Sequence, residues 1–422
     1  MQTNLADFIR DTPRGQRADA ILRSCVHCGF CNATCPTYQL LGDELDGPRG
    51  RIYLIKQLLE GEAATTVTQL HLDRCLTCRN CETTCPSGVR YGELVDIGRA
   101  VVHGQVGRSL GERVARATMR TVLTSPSLFA AIFSVGHAFK WLLPERLSRQ
   151  FKLPEPAGPW PSEQPGSSHR RRMAVLGGCV QPVLGPRINA AAARVLHRLG
   201  ITLELRAGSA CCGAVDHHMD AADAAKTHAR ANVDAWCKAL DEGLEAIVMT
   251  ASGCGTMVKE YPQLLADDPR YQAKARRVSD HTFDLAEIMA KEAIETLPLT
   301  GLEQACWSYH PPCSLQHAQQ LPGVVEGILR RLDVTLTANA ETHLCCGSAG
   351  TYSLLQPALS EQLRERKLNH LERGGPTHIL TANIGCMHHL QSGTERPVMH
   401  WIEALDQALR PAQEDCQEPA DQ

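Results

Sequence analysis

Eight cysteines near the start of the chain have a spacing that suits the ligands of a metal cluster. The run CVHCGFCNATCP begins at Cys25, and the run CLTCRNCETTCP begins at Cys75. Both have the form C-x2-C-x2-C-x3-C-P, in which three closely spaced thiolates hold one [4Fe–4S] cluster and the fourth cysteine ligates the other cluster. We therefore expect two [4Fe–4S] clusters with crossed ligand sets: Cys25, Cys28, Cys31 and Cys85 for the first, and Cys75, Cys78, Cys81 and Cys35 for the second.

Structural zinc is the alternative metal for these cysteines, because cysteine pairs separated by two residues also bind zinc. Zinc sites normally join two separated pairs, whereas both runs here are complete and end in Cys-Pro. The pattern therefore favours iron–sulfur clusters over zinc and over unligated thiols.

A second cysteine pattern occurs twice in the rest of the chain. Cys179 precedes the Cys-Cys-Gly turn at 211–213 by 32 residues, and Cys313 precedes the Cys-Cys-Gly turn at 345–347 by the same interval. One further cysteine follows each pair after 42 and 40 residues, at 254 and 386. This repetition predicts two homologous half-domains, related by a pseudo-two-fold axis.

The repeated cysteines follow apparent strands and lie in glycine-flanked turns, where side chains from different loops converge. Adjacent cysteines can present two sulfurs to one metal or cluster, so the pattern indicates a candidate third redox or metal site. Buried structural cysteines are the alternative. The candidate residues are Cys179, Cys211, Cys212, Cys254, Cys313, Cys345, Cys346 and Cys386.

Other cysteines and histidines carry less information. Three cysteines match no repeat and are expected to be ordinary thiols: Cys237, Cys306 and Cys416. Five histidines lie near the motif cysteines as candidate ligands or hydrogen-bond partners, and none is singled out: His217, His218, His317, His388 and His389.

The elements around these cysteines divide the chain into an α+β and α/β multidomain arrangement. The run from Pro48 to Glu60 predicts a helix between the two motifs. Short apolar strands alternate with helical stretches beyond the Pro-rich segment 153–168, which indicates an α/β region with parallel sheets. We predict an α-helical two-cluster ferredoxin-type domain at 1–105 (motifs at about 15–46 and 66–96), a helical segment and linker at 106–170, and two half-domains with the Cys-Cys-Gly repeat at 171–300 and 301–412.

Residues 108–143 become increasingly apolar toward the end of the segment. The last 16 residues contain His137 and Lys140, so the run is too short and too polar for a membrane span. A buried or interface helix is the first interpretation, and a helix on a membrane surface is the second.

Composition excludes several classes of protein. The chain has 43% apolar and 21% charged residues, which is typical of globular proteins, and its net charge of −3 gives no attraction to nucleic acid. The first residues contain no long apolar stretch, so we expect no secretory signal and a cytoplasmic protein. Disulfides are then a poor explanation of the 19 cysteines.

Motifs for organic cofactors are missing from the sequence. No G-x-G-x-x-G opens a predicted βαβ unit, and no G-x-x-x-x-G-K-[ST] occurs. We therefore expect no flavin, nicotinamide or nucleotide on this chain, and electrons should come from another polypeptide.

Over essentially its whole length, the sequence resembles the iron–sulfur subunits of glycolate oxidase, also called glycolate dehydrogenase. The resemblance lies in CVHCGFCNATCPTYQLLGDELDGPRGRIYLIKQLLEG and HLDRCLTCRNCETTCPSGVRY, and in the later segments CCGAVD, TASGCG, HLCCGSAGTY and TANIGC. The repeated part is similar to the cysteine-rich CCG domains of heterodisulfide reductases and of anaerobic glycerol-3-phosphate dehydrogenase.

The resemblance implies FAD-containing partner subunits that oxidise glycolate to glyoxylate, while this chain carries electrons onward to quinone or another membrane acceptor. It also implies a peripheral position on the inner face of the cell membrane. No residue of this chain is then catalytic. The corresponding subunit of a glycerol-3-phosphate or lactate dehydrogenase is an alternative in the same class, and a metal-binding interaction module without electron transfer is the alternative from another class.

Both repeats depart from the full CCG motif, which ends in Cys-x-x-Cys. Here the ends read Cys254-Gly-Thr-Met257 and Cys386-Met-His-His389. A five-thiolate cluster site therefore does not follow from the resemblance. One cluster, a metal and no cofactor all stay open for this region.

Overall fold

A helical N-terminal part precedes two parallel β-sheets that are covered by helices. The computed structural model describes residues 1–142, 151, 153–161 and 169–409. This mixed architecture confirms the predicted fold class. Helices of the N-terminal part are Asp7–Arg10, Pro13–Ser24, Phe30–Ala33, Pro36–Leu41, Pro48–Leu59, Thr66–Asp73, Asn80–Thr84, Tyr91–Gln105, Leu110–Thr124 and Pro126–Ala138.

The helix predicted between the two cysteine motifs spans Pro48–Leu59. Its proline stands in the first turn, where no amide hydrogen is needed, and Gly61 follows the end with a φ of +107°. The apolar face packs against helices Pro13–Ser24 and Tyr91–Gln105. Its buried residues are Ile52, Ile55, Leu58 and Leu59.

A buried carboxylate joins this helix to its neighbours. Asp46 is fully buried, and its carboxylate lies 3.3 Å from Arg51 Nη2 and 2.8 Å from Arg74 Nη1. The ring nitrogen Nδ1 of His71 lies 3.1 Å from the same carboxylate. Because a buried charge is tolerated only when it is paired, these groups fix the segment between the two motifs as one unit.

The same network reaches the second cysteine set. Arg51 donates from Nη1 to the hydroxyl of Thr37 at 3.2 Å, and that hydroxyl donates to the carbonyl of Asp46 at 2.7 Å. The Cys35 sulfur lies 3.3 Å from the Thr37 hydroxyl oxygen. The buried charges therefore position a predicted cluster ligand.

The helices Leu110–Thr124 and Pro126–Ala138 pack on each other at a bend of 103°. Within the described ranges, no single helix is long and apolar enough to cross a membrane, although this bent pair passes the same test when taken together. Phe133 is the buried residue of the second helix. Large apolar side chains of the segment are exposed at Leu110, Val114, Leu128, Ile132, Val135, Phe139, Trp141 and Leu142.

Two parallel sheets form the rest of the molecule. The first has the order β2-β1-β3-β4 and the second has the order β5-β6-β7. The strands are β1 (Arg171–Val175), β2 (Ile201–Leu205), β3 (Ala246–Met249), β4 (Thr282–Asp284), β5 (Trp307–His310), β6 (His378–Thr381) and β7 (Val398–His400). Around them lie helices Gln181–Leu184, Arg187–Arg198, Ala214–His218, Ala222–Asp241, Ser252–Lys259, Tyr261–Leu264, Gln272–Asp280, Leu285–Met289, Val324–Arg331, Tyr352–Leu355, Pro357–Leu371, Ile384–Gln391 and Trp401–Ala408.

The two sheets are structural repeats of each other. Strand β5 occupies the place of β1, and a single parallel bridge from Trp307 to Leu336 stands where β2 pairs with β1. The last strand of each sheet runs directly into a helix with a capping box, formed by Asp284 and Glu287 in one half and by His400 and Glu403 in the other. This equivalence agrees with the duplication read from the cysteine intervals.

The halves share one hydrophobic core, which includes Val175 and Val248 from the first sheet and Leu380 from the second. Polar contacts close the junction: the hydroxyl oxygens of Ser252 and Ser314 lie 2.7 Å apart, and the Ser252 amide donates to the carbonyl of Ala382 at 3.2 Å. The two half-domains are therefore packed as one body.

Part of the predicted linker packs on the first half-domain. The indole nitrogen of Trp160 donates to the carbonyl of Leu203 at 2.9 Å, and Arg194 donates to the carbonyl of Pro159 at 2.9 Å. Residues 162–168, the last residues of the predicted second half-domain (410–412) and Cys416 lie outside the described residues. The four domain boundaries stay predictions.

The buried charge network predicts the stability of a variant. Asp46→Ala should lower the free energy of unfolding by about 3–5 kcal/mol, because Arg51 would stay buried without its carboxylate. Thermal and urea unfolding of the anaerobically prepared chain measure the effect. Asp7→Ala is the control, since that carboxylate is 92% exposed. Equal midpoints for the two variants would contradict a structural role of the network.

Candidate cluster-binding site

Both cysteine motifs fold into the same loop. The second residue after the first cysteine has a positive φ in each motif, 60° at His27 and 53° at Thr77. The first residue after the second cysteine is also left-handed, with φ of 88° at Gly29 and 58° at Arg79. These turns wrap the chain tightly, so three sulfurs of each motif can face one centre while backbone amides point at them.

The first loop encloses a pocket lined by sulfur from both motifs. Its cysteines include the three at the start of the first run and, from the second run, Cys85. Burial raises the pKa of the Cys31 thiol to about 11, and the charge of Cys25 acts in the same direction. Such closely spaced sulfurs repel one another as free thiolates, and bound iron removes this repulsion. The predicted first set, brought together here, is Cys25, Cys28, Cys31 and Cys85.

The second loop encloses a matching pocket. Burial opposes ionisation of Cys75, but the positive charges of Arg51 and Arg99 outweigh it and lower the pKa of this thiol. The Thr77 amide donates to the Cys75 sulfur at 3.4 Å. The predicted second set, brought together here, is Cys35, Cys75, Cys78 and Cys81.

The four sulfurs of each set, with the amides and arginines around them, have the donor chemistry of an iron–sulfur cluster. Cys81 lines both pockets, so the two centres are neighbours. Cys35 lies with the second pocket and Cys85 with the first, an arrangement that the crossed assignment requires.

The four cysteines of the first half-domain also converge. Cys211 lies within hydrogen-bond reach of the Cys179 and Cys212 thiols, and those contacts lower its pKa. Cys254 in turn contacts Cys212. The Gly213 amide donates to the Cys211 sulfur at 3.4 Å. The surroundings of Cys211 in this group of four cysteines therefore favour its thiolate form.

The second half-domain repeats this arrangement. The sulfurs of Cys313 and Cys345 lie 3.9 Å apart, and Cys346 contacts both Cys345 and Cys386. The Gly347 amide donates to the Cys345 sulfur at 3.4 Å, as Gly213 does in the first half. All eight candidate cysteines are thus gathered into two groups of four.

The backbone of each Cys-Cys-Gly turn leaves no room for a side chain at its glycine. Gly347 has a φ of +92°, and a Cβ there would meet the carbonyl oxygen of Ser360 at 2.5 Å. Gly213 has a φ of +85° and a similar approach, 3.0 Å, to the carbonyl oxygen of Ala225. A side chain at either position would displace the turn that holds the paired sulfurs.

His310 belongs to the second group, although it lies outside the cysteine motifs. It ends strand β5 and is fully buried. One of its ring nitrogens and the sulfurs of Cys346 and Cys386 all lie within 4.8 Å of one another. A position-by-position comparison of the halves would have found it, because Leu176 stands three residues before Cys179 where His310 stands before Cys313.

Most of the histidines considered from sequence are engaged elsewhere. His317 Nε2 lies 2.9 Å from the carbonyl oxygen of His343, and His217 Nε2 lies 3.2 Å from Asp96. His389 Nε2 lies 3.2 Å from the Ser360 hydroxyl. His218 forms a group with Asp96 and His217 at a separate cavity of about 430 Å³. For His388 the structure gives no ligand geometry.

Two cysteines outside the repeat contact backbone carbonyls. The sulfurs of Cys237 and Cys306 lie 3.9 Å from the carbonyl oxygens of Lys274 and Gly375.

The second motif pocket abuts the cysteines of the second half-domain. Cys78 packs with Cys313 and Cys345 in one apolar cluster that also contains Tyr352. Asn80 ties the two parts together, because its side-chain amide donates to the carbonyls of Thr34 at 3.0 Å and of His343 at 3.1 Å. Sulfur ligands from the two parts of the chain therefore lie side by side.

Known protein families match the two cysteine regions. A family described as a 4Fe-4S dicluster domain matches residues 21–89, and a family described as a cysteine-rich domain matches residues 173–259 and 307–391. A glycolate oxidase iron-sulfur subunit of Escherichia coli (strain K12) is 54% identical over 410 residues, which cover 97% of this chain and 99% of that protein. The chain belongs to the family of glycolate oxidase iron–sulfur subunits.

Other relatives of the family are more distant. A probable glycolate oxidase iron-sulfur subunit of Bacillus subtilis (strain 168) is 29% identical over 89% of both chains. A lactate utilization protein A of Bacillus cytotoxicus is 25% identical over 54% of this chain and 95% of that protein. Membership in the family makes this chain an iron–sulfur protein of an oxidoreductase and favours iron over zinc at the motif cysteines.

The crossed arrangement predicts which variants affect the same cluster. Cys35→Ser should remove about four irons, those of the set with Cys75, Cys78 and Cys81. Adding Cys78→Ser should cost no further iron, whereas adding Cys28→Ser should remove the other cluster as well. Iron analysis and electron paramagnetic resonance (EPR) measure both.

Cys85→Ser is the matched counterpart and Cys237→Ser the neutral control. The crossed ligand sets would be refuted if the Cys35/Cys78 double variant lost both clusters while the Cys35/Cys28 double variant retained one.

Proposed function

We propose that this chain relays single electrons from a partner flavin to a membrane acceptor, as the iron–sulfur subunit of a glycolate dehydrogenase. The observation that carries the proposal is the packing of Cys78, Cys313 and Cys345 in one apolar cluster, where Cys78 interacts electrostatically with Cys313. When bound, [4Fe–4S] clusters supply one-electron transfer. In the proposed ligation, Cys25, Cys28, Cys31 and Cys85 hold the first cluster, and Cys35, Cys75, Cys78 and Cys81 hold the second.

The protein's own residues adjust the second site for electron uptake. Arg51 and Arg99 lie beside Cys75 and lower its pKa, so they also favour the extra negative charge that accompanies reduction. Arg99 donates to the carbonyl of Cys75 at 2.7 Å, which fixes the loop as well. The first pocket includes the exposed Cys28, which makes it the accessible side for a partner.

The chemistry must balance between partners. Oxidation of glycolate to glyoxylate releases two electrons and two protons, which we assign to an FAD-containing subunit. Reduction of a quinone consumes the same number, so the relay needs no further reactant. The whole-length similarity to a glycolate oxidase subunit favours glycolate, whereas similarity to lactate utilization proteins covers about half of the chain.

The two groups of repeated cysteines are proposed to hold an additional cluster or metal on the exit path. The support is their convergence in each half and the contact of the second group with the second motif pocket. In each half one glycine amide donates to a cysteine sulfur, a contact that stabilises a thiolate.

The exposed apolar side chains of residues 110–142 are proposed to rest on an anionic membrane surface. Residues 108–142 contain one acid, Glu112, and several bases, although the whole chain has a net charge of −3. Arg113 and Lys140 are exposed, whereas Arg108 and Arg116 pair with Asp73 and Arg120 pairs with Asp216. Exposed apolar groups beside basic ones suit the headgroup region of such a membrane.

The relay predicts metal content and a need for a partner. Anaerobically purified protein should contain at least about eight irons with matching acid-labile sulfide. It should not reduce a dye with glycolate until the flavoprotein subunits are added. Stoichiometric zinc without sulfide, or glycolate oxidation by the chain after removal of trace flavoprotein, would end the proposal.

A reconstituted complex on anionic vesicles that contain quinone tests the exit path. In the double variant Cys212→Ser/Cys346→Ser, glycolate should still reduce the two motif clusters, and dye reduction at the flavin should persist. Quinone reduction should fall at least about tenfold. Ile132→Ser/Val135→Ser should instead reduce vesicle binding and leave dye reduction unchanged.

Normal quinone reduction in a stable Cys212/Cys346 variant would make those cysteines structural. Unchanged vesicle binding of the Ile132/Val135 variant would exclude the apolar helices as the membrane contact. Cys306→Ser is the control for both measurements.

A further inference from the structure

We propose that His310 is a ligand of a metal centre in the second half-domain, where its imidazole completes a set with Cys346 and Cys386. The repeat lacks its last cysteine at His389, and a nitrogen ligand from strand β5 would take that role. The inference rests on the proposed function, since that function places a cofactor among these cysteines.

The three ligand atoms are already close to the separations that a metal ion requires. They lie within 4.8 Å of one another. Ligands at about 2.1 Å and 2.3 Å from a tetrahedral ion stand about 3.5–3.8 Å apart, so a small inward movement of the side chains completes the geometry. The sulfur of Cys345 contacts Cys346 and is available as a further ligand.

The imidazole of His310 makes no hydrogen bond to the described residues. His310 is 0% exposed, and neither ring nitrogen has a hydrogen-bond partner in the part of the chain that the structure describes. Buried polar groups normally have such a partner, because water no longer solvates them. A metal that accepts the nitrogen lone pair would satisfy one of the two nitrogens.

The first half-domain lacks this nitrogen. Leu176 occupies the position of His310, and among the described residues no histidine forms a ligand group with the cysteines of the first half: Cys179, Cys211, Cys212 and Cys254. The two halves are therefore chemically distinct. A mixed imidazole–thiolate set suits a borderline ion such as Zn²⁺, or iron within a cluster.

Residues around the second group support a charged centre. The side-chain amide of Asn383 donates to the Cys386 sulfur at 3.5 Å. Lys367 is 2% exposed, donates to the carbonyl of Glu341 at 2.6 Å, and interacts electrostatically with Cys345 and Cys346. Hydrogen bonds and cations of this kind orient thiolate ligands and balance their charge.

The test compares the anaerobically purified full chain with His310→Ala and His310→Cys. Iron, zinc and acid-labile sulfide are counted per chain, and EPR of the reduced protein reports the two motif clusters independently. His389→Ala is the matched control, because it removes a half-buried imidazole of the same half that lies outside the ligand group. Reconstitution with Zn²⁺ alone and with Fe²⁺ plus sulfide distinguishes a zinc site from an iron–sulfur cluster.

We expect wild type to contain metal beyond the about eight irons of two clusters. His310→Ala should lose the part of that excess that the second group binds while both EPR signals persist, and His310→Cys should retain it. Nitrogen coupling in pulsed EPR for an iron centre, or a nitrogen shell in X-ray absorption for zinc, gives a readout in wild type that needs no variant.

Three results would overturn the inference: no excess metal in wild type, full excess metal in His310→Ala, or equal loss in His389→Ala. Absence of both motif-cluster signals in wild type would instead contradict the proposed function.

Discussion

The burial of ionisable sulfur is the constraint on which the rest of the structure depends. Cysteine binds a metal or cluster as the thiolate, and a thiolate in apolar surroundings is costly unless donors or positive charges surround it. The protein meets this need with backbone amides at Thr77, Gly213 and Gly347, and with the charges of Arg51 and Arg99 beside Cys75. These contacts depend on left-handed turns at Thr77, Gly213 and Gly347.

The buried Asp46 network extends this constraint through the helical part. Arg51 lies beside the second cysteine set and is itself paired with Asp46, so its charge near the sulfurs is held without an unpaired buried cation. Arg74 and His71 complete the group from helix Thr66–Asp73 and its end. Electrostatics at the site and stability of the fold are therefore coupled through the same residues.

Duplication gives two similar scaffolds that differ in chemistry. Each half has a parallel sheet, a glycine-dependent cysteine pair and a capped terminal helix. The second group packs with the motif cysteine Cys78, and it has the imidazole of His310 where the first has Leu176. Such divergence is expected after duplication, because one copy can keep the fold while the other contacts a new neighbour.

The sequence by itself determined the two cysteine motifs, the helix Pro48–Leu59 and the repeat, because these depend on local spacing and on the chain's own periodicity. Convergence of the cysteines in each half was a reasonable expectation for loops at strand ends. The packing of Cys78 in one apolar cluster with Cys313 and Cys345, and the place of His310 beside Cys346 and Cys386, were decided by tertiary structure. Both bring together side chains from distant segments, and no local pattern encodes how two packed domains or two strands align.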